Sequence, residues 1–259
     1  MKLGISTACY YPMKTEEALA LVVEGGAACT EVFFNSFSEL SPEYLRNLKA
    51  ILQGGQTSVA SVHPFTCGLE PMLFFGNYSR RFEDGLEFYK QYFQAAAELG
   101  AAYCVLHGAL GKHGITAEQY LDSYGRLHRE AQAFGVKIAQ ENVGRCMSRD
   151  PQLFRLLRKA IPDAAFVLDI KQTFRSDSNV EGFLEAMGEN IVHLHMSDAT
   201  ESNDCLPIGK GSVNFHSLFE RLKKNGYGGD AVLELYAESY NNEKELWSSL
   251  KKLEKMVKS

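Results

Sequence analysis

The sequence predicts a single α/β domain over residues 1–259, a (β/α)8 barrel of the TIM-barrel class. Three observations lead there. The length of 259 residues is close to the ~250 typical of one such barrel. Short apolar runs alternate with longer amphipathic segments from end to end, the order that a parallel sheet with crossover helices requires. About eight such units occur, enough to close the sheet on itself. An open doubly wound sheet is the competing arrangement, but no glycine-rich phosphate loop follows the first strand.

In chain order the strand candidates are KLGISTAC, CTEVFFN, TSVASVH, AAYCVLHG, VKIAQEN, AAFVLDI, IVHLHMSD and DAVLELY. Between them lie helical patterns, and EKELWSSLKKLEKMV closes the sequence as a last helix. Thr15, Ser41, Thr116, Asp150 and Asn214 precede helical runs as N-cap candidates. Pro42 and Pro151 stand at first helical positions, where the missing N–H costs nothing. Gly25, Gly54, Gly100, Gly135, Gly188 and Gly226 follow helices as stops. The connection from Pro64 to about Arg81 is long, aromatic and without clear periodicity. Connections of this length are often functional lids; alternatively, Phe74, Phe75 and Tyr78 pack over the barrel rim.

Composition excludes several classes. Hydrophobic content of 45% and charged content of 23% are those of an ordinary soluble globular chain. A net charge of −5 argues against a nucleic-acid partner, which usually calls for a basic excess. No run approaches the ~20 apolar residues of a membrane span, and MKLGISTACYY reads as a first strand rather than a signal peptide. The six cysteines are scattered, without a C-x-x-C pair, and several fall inside apolar strands. Reduced thiols and a cytoplasmic location are the expectation.

Four strand candidates carry a metal-competent group at or near their C-terminal ends: Glu141 in VKIAQENVG, Asp169 in AAFVLDIKQ, His195 in NIVHLHMSDA and Glu234 in DAVLELYAE. Side chains at i and i+2 share a face of a strand. Glu141 therefore shares its face with Ala139, Asp169 with Val167, and Glu234 with Val232. That is the pattern of an inward column, apolar below and polar at the mouth. Barrel active sites occupy that C-terminal face. Three carboxylates and one imidazole suit one divalent ion, Mn2+ first, with Mg2+, Co2+ or Zn2+ as alternatives. A lone carboxylate after a strand is more often a helix cap or a solvated loop residue, so the argument rests on all four together.

His193 shares the face of His195 but lies one layer deeper, by about 6.6 Å, and reads as a hydrogen-bonded support. His63 and His107 also end strands and should face the mouth, as substrate contacts or as packing. Lys210 in PIGKG and Arg145 after ENVG are candidate contacts to hydroxyl or anionic groups, or solvated loop cations. His113, His128 and His216 fall in loop or helical segments and read as structural or exposed.

The succession ENVG, VLDIKQ, HLHMSD, PIGKG and LELY resembles the xylose-isomerase-like TIM-barrel superfamily of sugar isomerases and epimerases, over nearly the whole chain. Matched residue by residue, the resemblance implies metal ligation by Glu141, Asp169, His195 and Glu234. Apurinic endonucleases of the same superfamily hold three zinc ions with additional histidines. His63 and His107 stand where that branch has such ligands, but Gln172 replaces the histidine expected three residues after Asp169. The Asp-Arg-His element of that branch is also missing, with Asn203, Asp204 and Cys205 in its region.

The resemblance therefore implies a metal-dependent isomerase or epimerase acting on a sugar or polyol through an enediolate. Glu141 and Glu234 would be its acid–base pair, with His63, His107 and Lys210 touching substrate. A keto-inositol dehydratase, a nuclease and a non-catalytic sugar-binding barrel are the alternatives. No nucleic-acid or membrane partner is expected, and relatives leave room for a homo-oligomer.

Overall fold

The computed structural model of the chain describes residues 1–111, 114–176 and 178–258. Its strands are β1 (Leu3–Ser6), β2 (Cys29–Phe33), β3 (Ser58–His63), β4 (Tyr103–Leu106), β5 (Lys137–Glu141), β6 (Ala165–Asp169), β7 (Ile191–Met196) and β8 (Asp230–Leu233). All pair in parallel with their sequence neighbours, and β8 pairs with β1 through Leu3–Ala231 and Gly4–Val232 to close the barrel. The predicted fold class holds, and the open sheet is ruled out.

The helices run α1 (Thr15–Glu24), α2 (Pro42–Leu52), α3 (Glu70–Leu73), α4 (Ser79–Leu99), α5 (Ala117–Gln132), α6 (Pro151–Ala160), α7 (Ile170–Phe174), α8 (Val180–Met187), α9 (Phe215–Lys224) and α10 (Glu243–Lys258). Their starts follow local chemistry. Ser41, Asp150 and Asn214 each accept a backbone N–H of the first turn of α2, α6 and α9, and Thr116 forms a reciprocal capping box with Gln119 at α5. Thr15 departs from expectation: it is the first residue of α1, after an N-cap at Lys14. Its hydroxyl instead donates to Phe33 O or Glu39 Oε2, tying α1 to the end of β2.

Two apolar cores separate inside from outside. The larger lies between the strands and the surrounding helices, while Val105, Ala139, Ala165 and Val167 form a small cluster low in the barrel. Above that floor the interior turns polar, with Glu31, Ser61 and His193 buried from solvent. In the aromatic connection after β3, Phe74 and Phe75 are packed, whereas Tyr78, expected to pack with them, is exposed. Phe74 contacts Tyr89 and Phe82, and Phe75 stacks on Tyr120 with ring centroids 4.5 Å apart. His128 is buried beside Asp163, His216 is exposed, and His113 lies outside the described residues.

Candidate metal centre

Each of the four strand-end groups is delivered to the barrel mouth by its own backbone. β5 ends on Glu141 and β6 on Asp169, which are paired through the register Glu141–Val167. Asp169 is opposite His195 in β7, and Glu234 follows β8 with its N–H donating to Met196 O. Asp169 has two tasks: Oδ1 caps α7 by accepting the Gln172 N–H, which leaves Oδ2 facing the mouth. One ligand atom from each of Glu141, Asp169, His195 and Glu234 lies within 4.8 Å of all the others. His195 Nδ1 stands 3.7 Å from Glu141 Oε1, 3.6 Å from Asp169 Oδ2 and 3.2 Å from Glu234 Oε2.

The donors fit a divalent ion on a specific ground. His195 Nδ1 is buried without a hydrogen-bond partner, a costly arrangement that a ligated cation would relieve. The other nitrogen, His195 Nε2, donates to Glu31 Oε2 at 3.0 Å. That carboxylate fixes the tautomer, so the lone pair of Nδ1 points at the three acids; metal-ligating histidines are commonly oriented this way. Glu31 is itself held by Ser61 Oγ at 2.8 Å and Ser6 Oγ at 3.2 Å. His193 sits beneath, with Nδ1 donating to Asp230 O and Nε2 beside Ser61 Oγ. Its imidazole is pressed down to about 4 by burial and by the neighbouring His195, and so it stays neutral.

The acids are pulled apart electrostatically. Burial works to raise all of them, but the imidazoles around Glu141 and the Lys171 and His195 cations beside Glu234 hold both glutamates well below the ordinary carboxylate range. Asp169 rises to about 6, because burial outweighs the attraction of Lys171 and the other two carboxylates add repulsion. Burial works to lower His195, yet Glu31 and Glu234 lift it well above an ordinary imidazole. Its Nδ1 proton and a divalent ion are alternative partners for the same lone pair.

A cavity of about 310 Å³ opens above the quartet, lined in part by Glu141, Glu234, His63, His107, Arg145 and Lys171. Asp169 and His195 do not line it. His107 Nε2 lies 2.9 Å from Glu141 Oε2 and 3.1 Å from His63 Nε2, so both histidines face the mouth beside one glutamate. Cys67 joins them from the loop after β3. Lys210 does not converge. It ion-pairs with Glu245 of α10 and is outside the cavity lining, so the expected substrate contact does not fit its placement. Its loop is instead built around buried Asp198, which accepts N–H groups from Gly209, Gly211 and Val213. A Cβ on Gly211 would lie 2.3 Å from Ala199 O, which explains the glycine. A larger groove of about 550 Å³ between α8 and α9 presents, among the described residues, Ser and Asn side chains and one acid, Glu181, already paired with Arg221.

Three groups at the site carry no local sequence signal. Glu31 lies within the strand candidate CTEVFFN. Lys171, in α7, donates its ammonium to both Asp169 Oδ2 and Glu234 Oε2. Glu70 is fully buried and accepts the His107 and Gly108 N–H groups and the Tyr89 hydroxyl, pinning the end of β4. Gln172, where the nuclease branch has a histidine, uses Oε1 to accept the Gly144 N–H and so braces the ENVG turn.

Comparison with known proteins agrees with the barrel fold. A family described as xylose isomerase-like TIM barrel matches residues 19–256. Fructoselysine 3-epimerase of Shigella flexneri is 23% identical over 264 residues, covering 96% of this chain and 94% of its own. The crystal structure of a D-tagatose 3-epimerase-like protein superposes with a TM-score of 0.84 at 22% identity, over 100% of this chain and 97% of that one. The structure of the IOLI protein, with a zinc atom, gives 0.78 at 22% identity, over 99% and 96%. At these identities the two structures bear on the fold.

Proposed function

The chain belongs to the xylose isomerase-like TIM-barrel family, and on that premise we propose that it is a divalent-metal-dependent sugar isomerase or epimerase. The observation that carries this reading is the division of the quartet. Glu141 and Glu234 line the mouth cavity, whereas Asp169 and His195 are buried beneath it. All four would reach one ion, and the two that line the cavity would also reach substrate. The 3-epimerase named among the relatives and the zinc-bearing neighbour support the same reading.

Glu141, Asp169, His195 and Glu234 would hold the ion, with Glu31 orienting His195. A divalent cation bound there supplies Lewis-acid stabilisation of charge developing beside a substrate carbonyl. The chain's own residues move the proton. Glu141 and Glu234 come from different strands, so the ionised member of the pair can accept a proton while the other must enter the step protonated in order to give one. One takes the proton from the carbon next to the carbonyl, and the other returns a proton to it. His107 Nε2, 2.9 Å from Glu141 Oε2, steadies that carboxylate. The cavity is at the small end of ligand pockets, about 300–1,000 Å³, which suits a single sugar or polyol unit.

The test is a panel of ketoses and inososes incubated with Mn2+-loaded protein in deuterated water and read by NMR. Deuterium should enter the carbon beside the carbonyl of at least one sugar. Glu141→Gln and Glu234→Gln should each suppress that exchange by about 100-fold or more. Exchange retained by both variants would remove the assigned pair.

A further inference from the structure

The ion site contains a cation of the chain's own. Lys171 lies two residues beyond Asp169 in α7, and its side chain is 4% exposed. Its ammonium donates to Asp169 Oδ2 and Glu234 Oε2. These are the oxygens that face His195 Nδ1 at 3.6 Å and 3.2 Å. A divalent ion held by the quartet draws carboxylate oxygens to about 2.0–2.2 Å, or slightly farther for a large ion. Ion and ammonium therefore claim one location, and two cations in contact inside a buried site repel strongly.

We propose that Lys171 is a displaceable counter-ion, neutralising the Asp169–Glu234 pair until a divalent ion takes those oxygens and sends the ammonium into the mouth cavity. This rests on the quartet being an ion site. The ammonium has space to move into: Lys171 lines the cavity, and from its present position Nζ is 6.0 Å from the centre of the Tyr236 ring, which the Arg175 guanidinium also approaches at 5.5 Å. That ring is steadied by Arg175, which donates to the Tyr236 hydroxyl at 2.8 Å. The four-carbon stem of lysine is flexible enough to reach that space from the same backbone position. After the exchange the ammonium faces the space that substrate enters. Ion loading and substrate recognition are thereby coupled through one side chain.

Two measurements decide it. Calorimetric titration with MnCl2 alone should give Lys171→Met a Kd about tenfold tighter than wild type, the factor expected if the ammonium holds those oxygens roughly nine-tenths of the time. Equal or weaker affinity overturns the proposal while leaving the ion site intact. If neither protein binds Mn2+, the ion site itself falls, and the proposal with it. The second measurement needs only the wild-type chain. Lys171 should resist acetic anhydride without Mn2+ and become acetylated with it, as read by peptide mass spectrometry. Equal protection in both conditions overturns displacement, even if Lys171→Met does not fold.

Discussion

The two halves of the barrel interior divide the labour. Strands β5 to β8 deliver the four candidate ligands, whose coordinating atoms gather within 4.8 Å. Strands β1 to β4 deliver none of them, but they supply the groups that touch those ligands. Glu31 bonds His195, Ser6 and Ser61 hold Glu31, and His63 and His107 stand beside Glu141. One half grips and the other aims. Aiming matters because a metal-ligating imidazole is useful only in one tautomer and one orientation, both set by the partner of its other nitrogen.

Substitutions test that division. The largest effect is expected from His195→Ala, which removes the one imidazole of the quartet and should leave no measurable Mn2+ binding by calorimetry. Binding that survived it would move the centre away from the second half. Glu31→Gln is the sharper test. It leaves every ligand in place, and should weaken Mn2+ by about 10–100-fold, the usual cost of losing an orienting partner. Wild-type affinity in Glu31→Gln, with an unchanged circular dichroism spectrum, would dissolve the distinction between the halves.

A smaller effect concerns the support of β4. Burial lifts the Glu70 carboxyl to about 8 from an ordinary 4.5, although the Gly108 N–H and the Tyr89 hydroxyl pull the other way. The folded chain holds this proton more tightly than the unfolded one. The resulting stabilisation is complete below about 4.5 and is lost as pH rises through about 8. Glu70→Gln has no proton to lose, so its Tm relative to wild type should rise between pH 5 and pH 8.5. For a chain of this size each kcal/mol corresponds to about 2–4 °C. A Tm difference flat across that range would show that the carboxyl does not titrate there. The smallest effect belongs to Lys210→Ala, an exposed ion pair away from the cavity. Stability should change by about 1 kcal/mol or less in thermal denaturation, and Mn2+ affinity not at all.

The second half was legible in the sequence because its ligands break a rule in a visible place. Asp169 and Glu141 end apolar runs that would otherwise bury no charge, and His195 sits one alternation above His193. The first half obeyed the ordinary pattern and so stayed hidden. Glu31 in CTEVFFN looks like the outward polar residue of a strand, and only the pairing of Ser6 with Glu31 and of Glu31 with Ser61 turns it inward. Lys171 looks like the solvated face of a short helix. For Lys210 the sequence left substrate contact and solvated loop cation both open; it ion-pairs with Glu245, and the glycines beside it serve the backbone around Asp198.

The sequence by itself determined the alternation of strands and helices, most of the caps, and the four polar groups at strand ends. Each is written in neighbours a few residues apart, where periodicity and hydrogen-bonding preferences act directly. The tertiary structure decided which distant side chains share an atom: Glu31 with His195, Lys171 with Glu234, Glu70 with the amides after β4. Those pairings depend on strand register and on the closure of the barrel. Register is a property of chain segments meeting in space, and a linear pattern does not encode it.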